Sequence, residues 1–479
     1  MKELIKKFIP PWLLAYYHKS LTVLANYYYG RPSEKMIVIG VTGTNGKSST
    51  VFFIAKILEE AGFKVGAIST ALVKIVDQEK LNDTKMTMFG RFVAQKLLRQ
   101  MVEAGCQYAI VETSSQGIEQ FRHLSIHYDV CVFTNLTPEH IEAHGGFENY
   151  KHAKLKLFKH LEVLPHKHLK NVILNGAKRN EGSQVLPRDP SPEFTLNVAE
   201  GAQNDKVKKI IVANGDDKYA GEFLDFKVDE RIAYSITNYE LRITNEIQSL
   251  AADDIECLTD GLRFKVGNIN FNLKLFGKFN IYNSLAAIAV AQSQGIDLAV
   301  CKRALEKVIV VPGRMEFIAT NNDFKVLIDY APEPESMRQL FETIKSHHIV
   351  LSDGRIIHVF GSCGGGRDAS RRPILGELSA KNAAVQIITN EDPYNDDPEK
   401  IIEQVAKGAL KAGKILGQNL FKILDRREAI KFALSKAKPG DLVLLTGKGC
   451  EQAICVAKGC KLPWDEREVV RELLKKSNF

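Results

Sequence analysis

The stretch Met36-Ile37-Val38-Ile39-Gly40-Val41-Thr42-Gly43-Thr44-Asn45-Gly46-Lys47-Ser48-Ser49 decides the fold. Met36–Val41 is a short apolar run, the pattern of a buried strand. Glycines follow, and then a helical stretch from Lys47 to about Gly62. Strand, glycine-bearing loop and helix in that order make a cradle for phosphate. The loop's N–H groups face the anion, and the helix start adds partial positive charge. Lys47 can reach the outer phosphates and Ser48 can ligate Mg2+. The strict form of such loops has a glycine five residues before Gly46, where Val41 stands. An ordinary glycine-rich turn shares the glycines; the Lys47-Ser48 pair at a helix start favours nucleotide binding.

Outward from this loop, Tyr108–Val111, Val130–Phe133 and Lys209–Val212 are further strand candidates with helix-length segments between several of them. That alternation predicts a mostly parallel, doubly wound sheet. Gly261–Leu275 alternates through Leu262, Phe264 and Val266, turns at Gly267-Asn268, and resumes at Ile269, Phe271 and Leu273, which predicts a hairpin. A helix carrying Leu285–Ala291 follows, and the polar stretch from about Pro165 to Asp205 reads as an insertion. After Val311-Pro312-Gly313 the rhythm restarts, with strands at Val326–Ile328, Ile356–Phe360, Val385–Thr389 and Leu442–Leu445. The fold class is α/β: a central P-loop-type, mostly parallel sheet domain over residues 36–312, then a C-terminal Rossmann-like α/β domain over 313–479. Residues 1–35 stand apart, with Lys2, Lys6 and Lys7 ahead of Trp12, Tyr16, Tyr17 and Tyr27-Tyr28-Tyr29. They predict a helix packed on the next domain, with weak peripheral contact to a membrane as the alternative.

A chain of 479 residues exceeds a single ordinary core. Its 45% hydrophobic and 25% charged content is that of a soluble globular protein. The net charge of +8 suits anionic small substrates, and without a long basic block it does not indicate nucleic acid. Eight cysteines include no CxxC pair. Cys450, Cys455 and Cys460 would each be turned by about 140° on a helix and share no face, so reduced cytoplasmic thiols are expected rather than zinc ligands. No apolar run reaches the roughly 18 residues of a membrane span, and no signal-peptide cleavage pattern is present.

Thr42–Ser49 resembles the phosphate loop of the Mur ligases, and further matches follow in order to about Arg467. Glu112-Thr113-Ser114-Ser115-Gln116-Gly117, then Arg122, resembles E-type members, which add the third amino acid to a UDP-muramoyl dipeptide in peptidoglycan synthesis. Phe133-Thr134-Asn135-Leu136, Glu148–Lys154, Leu275–Asn283, Pro312–Glu316, Asp329-Tyr330-Ala331, Gly364–Asp368 with Arg371-Arg372-Pro373, Asp425-Arg426 and Gly447–Glu451 continue the series. The resemblance implies ATP as substrate, bound by Gly43, Thr44, Asn45, Gly46, Lys47, Ser48, Ser49, Asn280, Asn283, Arg314 and Asp329, with Asp425-Arg426 on the nucleotide side. It implies Mg2+ held by Ser48, Glu112 and His140, and an acceptor held by Thr87, Ser114 and Arg122. It implies a carbamylated Lys154, with Lys47, Lys154 and His140 as catalytic residues. Asp392, Tyr394, Gly447 and Glu451 would meet the incoming amino acid. From the residues alone, Glu112 ends an apolar strand, the edge at which doubly wound sheets bind ligands. An asparagine amide both donates and accepts, as adenine recognition needs, although asparagines also cap helices.

Departures accompany the matches. Where the family shows His-Thr-Pro, Pro332-Glu333-Pro334 stands, and Cys450 replaces a histidine. The diaminopimelate selector Asp-Asn-Pro-Arg becomes Glu391-Asp392-Pro393-Tyr394, and a tyrosine cannot clamp a carboxylate as arginine does. Only 42 residues precede Gly43, so a reduced or absent UDP-binding domain is expected. A folylpolyglutamate-type or cyanophycin-type ligase shares the phosphate loop, but Ser114, Ser115, Arg122 and the Gly447–Glu451 motif favour the E-type. A non-catalytic nucleotide-binding relative is supported by Pro332 and Cys450 and opposed by Lys47, Glu112, His140 and Lys154. A small-molecule kinase shares the phosphate loop alone.

Overall fold

A computed structural model describes residues 10–139, 141–169, 206–237, 246–350 and 353–476. His140 and most of the expected insertion lie outside the described residues.

The first large unit is a nine-stranded sheet. Its strands are β1 (Ile37–Thr42), β2 (Val65–Ile68), β3 (Leu72–Ile75), β4 (Gln78–Leu81), β5 (Tyr108–Glu112), β6 (Val130–Phe133), β7 (Ile210–Asn214), β8 (Glu230–Ser235) and β9 (Gln248–Ala251). They lie in the order β4-β3-β2-β5-β1-β6-β7-β8-β9. Pairing is parallel from β2 to β9, and β3 and β4 add antiparallel at one edge. The central strands β1, β5 and β6 are buried at every position because helices cover both faces. On one face α2 (Lys47–Glu60) and α5 (Phe279–Ser293) form a core with Ile39, Val41, Val132 and Val212. On the other, α3 (Arg91–Glu103) and α4 (Phe147–Val163) pack on Val38, Ala109, Val111 and Phe133.

The expected hairpin is β11 (Gly261–Val266) with β12 (Ile269–Leu273), paired Val266 to Ile269 across the turn. A third strand, β10 (Asp253–Leu258), extends it. The second unit is a six-stranded sheet of β13 (Glu316–Ile318), β14 (Lys325–Ile328), β15 (Ile356–Phe360), β16 (Val385–Ile388), β17 (Leu420–Lys422) and β18 (Leu442–Leu445). Its order is β13-β14-β18-β15-β16-β17, parallel except at the β13 edge. Apolar clusters on both of its faces make it a second doubly wound layer structure.

The N-terminal helix α1 (Pro11–Tyr28) exists, but it buries little. Thr22 and Ala25 pack inward and Arg91 Nε donates to Thr22 Oγ1 at 2.9 Å, whereas Trp12, Tyr16, Tyr27 and Tyr28 are each more than 60% exposed. The helix expected to pack on the next domain does so, against α3 and the turn at Arg122–Ser125, but most of its aromatic surface faces outward. Among the described residues, no helix is long and apolar enough to cross a membrane.

Candidate active site

The phosphate loop leaves β1 and enters α2 through two glycines whose geometry excludes a side chain. Gly43 has φ +148°, and a Cβ there would lie 2.0 Å from Thr134 Oγ1. Gly46 has φ +81°, and a Cβ there would lie 2.4 Å from Asn283 Oδ1. The loop is fixed from the next strand. Thr44 N donates to Asn135 O at 2.8 Å, Asn45 N to Asn135 Oδ1 at 2.9 Å, and Thr134 Oγ1 to Asn45 O at 2.6 Å. Lys47 Nζ folds back on Thr44 O at 2.6 Å.

At the floor, Ser48 Oγ donates to Glu112 Oε2 at 2.8 Å. Thr70 donates to the same carboxylate from its N–H at 2.7 Å and its hydroxyl at 3.0 Å, and also reaches Thr87 Oγ1 at 2.9 Å. Lys154, on α4, is buried and donates to Gly43 O at 2.7 Å, with its ammonium 4.4 Å from the Tyr150 ring centre. Burial, and then the nearby Lys47 charge, hold its pKa well below the usual lysine value.

A cavity of about 710 Å³ opens above the loop. Thr44 to Ser49, Thr70, Thr87 and Glu112 line it from the first unit; Arg314, Asp329, Tyr330, Glu333, Arg367 and Arg371 line it from the second. Arg314 stacks its guanidinium 4.3 Å from the Tyr330 ring centre. Asp329 accepts from Met315 N at 2.7 Å; burial raises its carboxyl pKa while Arg314 opposes the shift. Asn283 faces the cavity, whereas Asn280 stands behind it, accepting from Asn283 Nδ2 at 3.1 Å and donating to Phe276 O at 2.8 Å.

Three sequence expectations land elsewhere. Asp425 caps the helix Arg426–Lys436, accepting from Glu428 N at 3.0 Å. Arg426 is a buried bidentate partner of Glu466, at 2.9 and 2.6 Å, and also holds Thr446 O; neither residue lines the cavity. Ser114 caps the short helix Ser115–Glu119, accepting from Gly117 N at 3.3 Å. Arg122 is engaged by Met88 O and Gln120 Oε1. Ser114 and Arg122 lie off the large cavity, near a second, polar cavity of about 540 Å³ lined by Gln116, Gln120, His144 and Asn149.

The expected amino-acid residues form a buried charge cluster. Asp392 accepts from Lys448 Nζ at 3.1 Å and Cys455 N at 2.7 Å, and Glu451 accepts from Lys448 Nζ at 2.9 Å. Burial alone would raise the Asp392 carboxyl, but Lys448 and then Lys85 hold it below its usual range. Gly447, at φ +102°, abuts Glu391 and donates to Tyr330 O at 2.8 Å. Tyr394 sits at φ +53°, its ring against Gly365.

Sequence reasoning missed several residues. Asn135 stands within a matching motif without an assigned role, and Thr70 and Lys85 carry no motif signal of their own. Glu333 does: it replaces the family's threonine, and its carboxylate pairs with Arg371 of the Arg371-Arg372-Pro373 motif. The departure is therefore part of a matched pair across the cavity mouth.

The chain matches the Mur ligase middle domain over residues 41–185 and 197–291, and the Mur ligase glutamate ligase domain over 313–449. It is 35% identical to a UDP-N-acetylmuramyl-tripeptide synthetase of Roseiflexus sp. (strain RS-1), covering 95% of this chain and 82% of that one. It is 32% identical to a UDP-N-acetylmuramoyl-L-alanyl-D-glutamate–2,6-diaminopimelate ligase of Clostridium tetani (strain Massachusetts / E88), covering 95% and 81%. A solved structure of another such diaminopimelate ligase superposes with a TM-score of 0.54 at 26% identity, over 92% of this chain and 78% of that one. The folylpolyglutamate synthase of Mycobacterium tuberculosis, at 14% identity, TM-score 0.60 and 89% and 91% coverage, shares the fold alone. On the family matches and these identities, this chain belongs to the Mur ligases.

Proposed function

We propose that the chain adds the third amino acid to a UDP-muramoyl dipeptide. It is an ATP-dependent, ADP-forming carboxylate–amine ligase of peptidoglycan precursor synthesis. The observation that carries this reading is the convergence of Lys47, Glu112, Lys154 and Arg314 around one loop and one cavity. A phosphoryl group seated on the loop's N–H donors is attacked by the acceptor carboxylate, giving an acyl phosphate. The amino acid's neutral amine then attacks the acyl carbon, and phosphate leaves. Lys47 swings from Thr44 O to the transferring phosphoryl group, and Arg314 closes over the nucleotide and excludes water. Asn283 faces the base, and Thr87 faces the acceptor. Ser48 and Glu112 offer the hard oxygen donors that suit Mg2+, which when bound neutralises phosphate charge. Lys154 suits carbamylation: burial and the Lys47 charge favour loss of its proton, as attack on CO2 requires, and the carbamate's charge would face Lys47.

The test is phosphate release with ATP, UDP-muramoyl dipeptide and each amino acid in turn. Release requiring all three supports the reading. ADP formation without the amino acid, with the phosphoryl group kept on the acceptor, points to a kinase, and phosphate release with a folate or polypeptide acceptor points to the other ligase types. A peripheral membrane contact is a second, narrower reading, favoured by the exposed aromatic face of α1. Substitution of Trp12, Tyr16 and Tyr27 by serine should then abolish sedimentation with anionic liposomes, and unchanged sedimentation would refute it.

A further inference from the structure

Lys85 has no assigned role, yet it reaches from the loop after β4 into the amino-acid cluster of the second unit. Its ammonium contacts Asp392 and lies 2.9 Å from Glu451, and its side chain is 4% exposed. Burial works against its charge, but Glu451 and Asp392 outweigh burial and raise its pKa.

Three observations bear on what it does there. First, the other ammonium in the cluster is built in: Lys448 is fully buried and tied to Ala453 O at 2.7 Å. Two carboxylates facing Lys448 alone carry one net negative charge, so the cluster is made to take one more cation. Second, Lys85 stands at φ +58°, a left-handed conformation that a residue with a Cβ keeps only when its surroundings impose it. Third, its loop is tethered on both sides. Asn82 Nδ2 donates to Ser69 O and Met86 O at 2.8 and 2.9 Å, and Lys461 of the second unit holds Thr84 O at 2.8 Å.

We propose that Lys85 is an internal stand-in for a substrate ammonium and a determinant of specificity. It fills the Asp392–Glu451 site when no amino acid is bound, and only an amino acid with a side-chain ammonium displaces it. The α-amine must be neutral to attack an acyl carbon, whereas two carboxylates hold an amine in its charged form. The ammonium they take is therefore a second one, on the side chain. A neutral side chain that expelled Lys85 would leave the buried negative charge uncompensated. Displacement also frees the loop that leads two residues later to Thr87, coupling amino-acid binding to the acceptor side. This inference rests on the ligase reading for the placing of the amino acid.

Calorimetric titration of the full chain with L-lysine and with its uncharged analogue L-norleucine tests it. An internal competitor lowers apparent affinity by the fraction of molecules it blocks. Lys85→Met should therefore bind L-lysine at least about tenfold more tightly than wild type, with L-norleucine weak in both. Lys85→Arg should stay close to wild type, which separates competition from loss of folding. Hydrogen exchange on the wild-type chain is the second readout: L-lysine, not L-norleucine, should raise exchange over residues 82–88. Unchanged or weaker L-lysine binding by Lys85→Met, or no L-lysine binding by either protein, overturns the proposal. If phosphate release nonetheless depends on another amino acid, the ligase reading stands without it.

Discussion

Lys154 Nζ donates to the carbonyl oxygen of Gly43 at 2.7 Å, tying α4 to the phosphate loop across 111 residues of sequence. The amine is buried, and its protonated form is disfavoured by desolvation and by Lys47. Loss of its proton, which carbamylation requires, is therefore eased, and the amine sits against the phosphate loop. Lys154→Ala should lose most ligase activity, roughly a hundredfold or more, with partial recovery on adding a short carboxylic acid. Assays in CO2-depleted buffer should lower wild-type activity and leave Lys154→Ala unchanged. Full activity of the variant without additive would remove the carbamate from the account.

The same shift has a stability consequence. The folded-state value lies below the ordinary 10.5, so between the two the unfolded chain binds more protons than the folded one. In CO2-free buffer Lys154 therefore makes stability rise with pH through that window, and its contribution is lost as pH falls through the folded value. Denaturant titrations at several pH values should show a flatter slope in Lys154→Met.

Lys47→Ala should reduce phosphate release by about a hundredfold or more, since the backbone cradle alone supplies no mobile charge. Gly43→Ala should do the same while also weakening ATP binding, because the new Cβ would meet Thr134 Oγ1 at 2.0 Å. Nucleotide titration separates the two effects.

By the resemblance to the Mur ligases, Tyr394 would stand where diaminopimelate enzymes use an arginine, and a tyrosine cannot form a bidentate contact with a distal carboxylate. Losing such a contact costs on the order of 1.5–3 kcal/mol, about tenfold or more in preference. In competition at equal concentrations, L-lysine should be incorporated ahead of diaminopimelate. A strong diaminopimelate preference would mean that another cation takes the arginine's part.

Arg426 and Glu466 form a bidentate pair almost wholly removed from solvent. Arg426→Ala should destabilise the second unit by about 3–5 kcal/mol, because Glu466 would be left as a buried unpaired charge. Thermal unfolding should report the loss, and ATP affinity at temperatures where the variant is folded should be unchanged.

Much of this architecture was legible in the chain because its strands are buried on both faces. Met36–Val41, Tyr108–Val111, Val130–Phe133 and Leu442–Leu445 read as strand-length apolar runs, and the structure pairs them in parallel registers. The phosphate loop was legible because glycine, lysine and serine there answer to local geometry. What was not legible depends on contacts distant in sequence. Nothing local marks Lys85, whose partner Asp392 lies 307 residues away. Arg426 shows the opposite failure, since its motif position suggested a nucleotide contact and its burial makes it structural. In α1 the aromatic run predicted a helix packed on the next domain; of its described side chains only Thr22 and Ala25 are buried, and most of the aromatics stay exposed.

The central claim is that the acceptor carboxylate is activated as an acyl phosphate. It is tested most directly with UDP-muramoyl dipeptide labelled with ¹⁸O in its terminal carboxylate, incubated with ATP and the amino acid. The account predicts one ¹⁸O atom in each phosphate released and one retained in the new amide. Phosphate released without ¹⁸O while the amide forms would contradict it.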